Sequence, residues 1–98
     1  MRLIRLHPDD NVLTVASAIG AGQAYEVEGA TLIAAKAIAV GFKVAACPIA
    51  SGAKVIKYGA VIGSASQVIN TGDVVHTHNL KSDYLPTYAR GEGEARTP

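Results

Sequence analysis

Tryptophan is absent from this 98-residue chain, and phenylalanine and cysteine occur once each, as Phe42 and Cys47. Without large aromatic rings a core must come from Val, Ile, Leu and Ala, each large aliphatic side chain contributing roughly 1.5–3 kcal/mol when fully buried. Such a core is thin, and a small domain of this kind gains stability by covering a face with a copy of itself, as a homo-oligomer, or with a larger partner. The lone Cys47 excludes an internal disulfide, which fits a reducing compartment and makes the cytoplasm the expected location. Standing before Pro48, it reads as a small buried hydrophobe rather than a nucleophile. No apolar run approaches the roughly 18 residues that span a bilayer, and no signal-peptide pattern opens the chain, so neither membrane insertion nor secretion is indicated.

Charge is scarce as well, at 17% of residues with a formal net charge of +1. The lysines and arginines are dispersed from Arg2 to Arg96 rather than gathered into a patch or stripe, which excludes a nucleic-acid partner. About half the residues are apolar, which places the chain among globular proteins, and its length leaves room for one domain.

What the chain does have is a glycine-punctuated series of short apolar segments from Ile49 to Leu80, ending in His76-Thr77-His78-Asn79. Apolar pair, glycine turn, polar pair and apolar pair recur twice, and the second copy delivers two of the three histidines. Met1–Leu6 reads as an edge strand, and His7-Pro8-Asp9-Asp10-Asn11 as a turn, with Pro8 holding His7 extended. Val12–Ile19 mixes β-branched residues with alanines after a capping Asp10 or Asn11, and we read it as a short helix. Tyr25–Glu28 alternates as a strand does, while Ala30–Gly41 fits either a helix closed by Gly41 or a strand. Lys43–Cys47, Val55–Tyr58 and Val61–Ala65 read as strands separated by glycine turns, so a β-rich domain is expected. The polar stretch at 83–98 reads as a disordered tail.

On a strand, His76 and His78 would share a face, close enough to hold one ion or ligand. Imidazole suits Fe(II), Mn(II) or Zn(II), and carboxylates or substrate oxygens would have to complete the shell. The plain alternative is that both sit at the polar rim of a strand end. Lys57 is positioned to neutralise an acid, whereas Tyr58 reads as a packed ring and Gly59 as a tight turn.

Gly41-Phe42-Lys43-Val44-Ala45, Ile49-Ala50, Val55-Ile56-Lys57-Tyr58-Gly59, Ile62-Gly63 and Val75-His76-Thr77-His78-Asn79-Leu80 together resemble the N-terminal domain of the altronate and galactarate dehydratases. His7-Pro8-Asp9-Asp10-Asn11-Val12 adds to the likeness, which covers residues 1–82. The resemblance implies a mainly β, SAF-type β-clip fold of folded-over strands with one or two short helices. It further implies a small subunit that meets a large catalytic dehydratase subunit and helps eliminate water from a sugar-acid substrate. His76 and His78 would then be the catalytic or metal-binding groups, Lys57 and Asn79 would bind substrate, and the metal would be Fe2+ or Mn2+. A sulfolactate sulfo-lyase small subunit and a non-catalytic module for carbohydrate acids are the other functions the resemblance allows. Two departures stand out: Phe42 replaces the histidine of a usual Gly-His-Lys, and Cys47-Pro48 replaces a usual Arg-Asp.

Overall fold

A computed structural model describes residues 2–82. The expected disorder of 83–98 lies outside the described residues. Nine short strands follow in order, with no helix among the described residues: β1 (Leu3–Ile4), β2 (Val12–Val15), β3 (Ala24–Val27), β4 (Ala30–Ile33), β5 (Lys43–Ala45), β6 (Lys54–Lys57), β7 (Ala60–Ala65), β8 (Val74–Val75) and β9 (Leu80–Lys81). All pairing is antiparallel, in a four-stranded sheet ordered β1-β2-β5-β8, the hairpin β3-β4, and a three-stranded sheet ordered β6-β7-β9.

The mainly β expectation holds, and the expected short helices do not form among the described residues. Val12–Val15 is a strand because it lies between β1 and β5, with Leu13 opposite Val44 and Thr14 opposite both Ile4 and Lys43. Pairing on both edges satisfies its backbone, and alternation sends Leu13 and Val15 to one core and Val12 to the other, which outweighs the weak helix preference of nearby alanines. Ala30–Ile33 is likewise a strand, after which Ile38 forms a bridge to Ile19.

The twofold pattern read between Ile49 and Leu80 is part of a larger one. From β2 to β5 the chain runs strand, bridging Ile19, hairpin, bridging Ile38; from β5 to β8 it repeats this with Ile49 and Ile69. Both hairpins close with two residues at positive φ, Glu28-Gly29 (47° and 89°) and Tyr58-Gly59 (57° and 73°). This is the turn whose twist matches that of the flanking strands, and glycine at its second position spares the usual penalty for left-handed backbone.

The four-stranded sheet separates two cores. On one face Leu13, Val15 and Val44 pack with Tyr25 and Val27 of the first hairpin; on the other, Val12, Ala45 and Val75 pack with Val55 and Ala65 of the second. The two predicted packing roles outside the cores do not hold: Tyr58 is 67% exposed because its turn projects it outward, and Cys47 is exposed where the chain leaves β5.

Candidate functional site

Val75 ends β8 buried, and the next four residues turn to deliver Leu80 into β9. His76 and His78 therefore sit on a turn, not a strand, and the alternation expected to align them does not operate. The turn is organised by Asn79, which is 3% exposed. Its Oδ1 accepts the His76 N–H at 3.0 Å, its Nδ2 donates to the Val74 carbonyl at 2.9 Å, and its own N–H donates to the His76 carbonyl at 3.0 Å. Its carbonyl accepts the Ser66 N–H at 2.9 Å. With both its amide oxygen and its amide nitrogen bonded to the backbone of the turn, Asn79 shapes it.

The turn places His76 and His78 on one open cleft of about 450 Å³. Its wall is largely apolar, from Tyr25, the 33–38 segment and Phe42, with Asp73 and Lys36 at its polar edge. Phe42 and His76 stand opposite one another one step beyond the Lys43–Val75 pair, and their rings stack with centroids 5.5 Å apart and planes 14° from parallel. The floor depends on Gly72, whose carbonyl accepts the Tyr25 hydroxyl at 3.0 Å. Burial, and next the charge of Asp73, raise the Tyr25 phenol above its ordinary range, so it stays a donor.

Lys57 does not line this cleft. It follows the buried Val55 by two positions on β6, on the side of the sheet to which Lys43 and Thr14 also belong. Lys43 is partly buried, and burial followed by the nearby charge of Lys57 lowers its ammonium below the usual lysine range. The structure thus brings His76 and His78 together and leaves Lys57 on the opposite face.

Residues 1–83 match the altronate/galactarate dehydratase SAF domain family. The chain belongs to that family. It is 37% identical over 83 residues to the altronate dehydratase of Escherichia coli, covering 85% of this chain and 17% of that protein. Against the altronate dehydratase of Bacillus subtilis it is 35% identical over 80 residues, 82% of this chain and 16% of that protein. The SAF domain therefore spans about a sixth of the curated relatives it matches.

The His7–Asn11 segment of this SAF domain has a structural explanation. Asp10, 3% exposed, accepts the Gly59 N–H at 2.8 Å, and Asn11 pairs with β6 through Oδ1 to Ile56 N–H (2.8 Å) and Nδ2 to the Lys54 carbonyl (2.9 Å). Burial would raise the Asp10 carboxyl, but the N–H groups of Gly59 and Tyr58 and the adjacent His7 bring it below the ordinary carboxylate range. The segment clamps the second hairpin, and a side-chain hydrogen bond from Arg5 to the Asp10 carbonyl holds the clamp in turn.

Sequence reasoning missed Lys36 and Asp73 at the cleft, and Lys43 beside Lys57. Only Lys43 carried a signal, as the lysine of Gly41-Phe42-Lys43. Among the described residues no group of three His, Cys, Asp or Glu side chains is placed to hold a metal. No helix among them is long and apolar enough to cross a membrane.

Proposed function

We propose that this SAF domain is the small subunit of a cytoplasmic sugar-acid dehydratase of the altronate/galactarate type, completing a site with a large catalytic chain. The observation that carries the reading is a pair of histidines on an open cleft of an altronate/galactarate dehydratase SAF domain. A cleft open to solvent on one side does not enclose a hydroxy acid or exclude water, so a second surface has to close it.

Eliminating water from a hydroxy acid requires removal of the proton α to the carboxylate and departure of the β-hydroxyl as water. The α-carbon is a very weak acid until the developing enolate charge is stabilised, and the leaving hydroxyl needs a proton. Imidazole can take or give a proton near neutrality, so His76 or His78 is the group that moves the proton. A bound Fe2+ or Mn2+ would supply the stabilisation of the enolate charge, and a histidine that holds it gives up the lone pair a base needs, so each of His76 and His78 either holds the ion or moves a proton. Asn79 acts through them, holding the turn at the geometry in which both rings face the cleft.

Phe42 favours a second reading, a non-catalytic module that binds a carbohydrate acid, because it sets an apolar ring beside His76 at the position where the family usually has a histidine. Co-purification of the chain from its native cells and assay of the complex on altronate and galactarate separates the two. A stoichiometric large partner, with turnover falling by about 100-fold or more in His76→Ala or His78→Ala, supports the lyase. Unchanged turnover in both variants removes the histidines from the chemistry, and a partner-free protein that binds the acids without converting them is the module.

A further inference from the structure

We propose that Lys43 and Lys57 form a second site, on the sheet face opposite the histidine cleft, that binds a small oxyanion such as the carboxylate of a hydroxy acid. Lys43 lies on the central strand β5, opposite Val75 on one side and Thr14 on the other, so its side chain leaves on the face of the second core. The irregularity in the β6–β7 ladder passes over Ile62 of β7 and leaves the alternation of β6 intact, so Lys57 shares the side of Val55 and borders the same core. Both lysines are partly buried.

Neither ammonium has a carboxylate partner among the described residues, where the ion pairs are Arg5–Glu28 and His7–Asp9. The Thr14 hydroxyl, across the ladder from Lys43, is buried and has no hydrogen-bond partner among the described residues. Two cations held near one another and partly withdrawn from water are unfavourable unless an anion lies between them. An oxyanion resolves this, since its oxygens accept from both ammonium groups in charge-assisted hydrogen bonds. The depressed Lys43 ammonium is consistent with a site that lacks its counter-charge. A carboxylate and a free phosphate present the same chemistry to two lysines, which act as point charges rather than a shaped fork.

The test titrates the whole chain, labelled for NMR, with galactarate in one arm and inorganic phosphate in the other, following the Lys43 and Lys57 side-chain signals. Saturable shifts of both signals are expected, weakened roughly tenfold or more by Lys43→Met or Lys57→Met and unaffected by Lys81→Met. Methionine keeps the apolar stem of lysine, so packing against the second core is retained. Lys57→Glu offers a second route: an ion pair with Lys43 should raise the Lys43 titration and abolish binding. Saturation by galactarate identifies an organic acid as the ligand, and saturation by phosphate alone identifies the inorganic ion. No shift in either arm, or shifts that persist in both methionine variants, overturns the site and leaves the lysines to a partner's carboxylate. The readout needs neither partner nor turnover, so its failure would leave the dehydratase reading intact, and the converse holds.

Discussion

Replacing Asn79 by alanine isolates the device that builds the histidine turn. The side chain satisfies two backbone groups that are partly shielded from water, the His76 N–H and the Val74 carbonyl. Each group stranded by the truncation costs about 1–3 kcal/mol, and water reaches this turn in part, so the sum is about 2–4 kcal/mol. A domain of this size is stable by about 5–15 kcal/mol, so the loss is a large fraction of the total. At 4–8 °C per kcal/mol it lowers the Tm by roughly 8–32 °C. Urea denaturation followed by far-UV circular dichroism reads the loss, and hydrogen exchange at the His76 amide localises it. Asn79→Asp separates the two bonds, because a carboxylate still accepts from His76 but repels the Val74 carbonyl. Its folded pKa is therefore raised above the unfolded one, so the variant gains stability as the pH falls and loses it as the pH rises. Were Asn79→Ala to unfold within about 0.5 kcal/mol of the wild type, with His76 exchange unaltered, the brace would be no brace.

Gly72→Ala drives a Cβ into Leu32 Cδ1 at a φ of +85°, so Leu32 must leave its packing site. Left-handed strain and overpacking together predict a loss of about 2–4 kcal/mol, read by the same denaturation, along with a remodelled cleft floor. Asp10, whose folded carboxyl is held below the ordinary range, contributes stability that is present above about pH 3.9 and lost as the pH falls through the lower folded value. Asp10→Asn should flatten that acid limb in a Tm series against pH; an unchanged acid limb would mean other carboxylates set it. The histidine substitutions and the lysine titration complete the set, each with its outcome given above.

Strand positions were legible wherever β-branched residues stood between glycine turns, as in β6 and β7, because those turns permit little else locally. Val12–Val15 was not legible, since its partners β1 and β5 come from either side in the chain and only their pairing makes extended backbone the better choice. The histidine pair could be read as chemistry, but its geometry was misassigned to strand alternation. The cleft that His76 and His78 share is made by a turn whose fastener, Asn79, looked from the sequence like a ligand for substrate. Lys57 was visible as a cation and Lys43 was passed over, because the second copy of the strand pattern brings β6 onto the face from which Lys43 emerges.

By itself the sequence carried the family, in motifs that resemble it, and the β-rich character, in its glycine turns and β-branched segments, and it offered His76 and His78 as candidates for acid–base work. Tertiary structure alone decided which residues meet. Alternation across a sheet with a core on each face sends neighbours such as Phe42 and Lys43 to opposite sides, and antiparallel pairing sets Phe42 against His76 from 34 positions away. Those separations are closed by long-range burial, whose free energy belongs to the assembled layers and to no single segment of the chain.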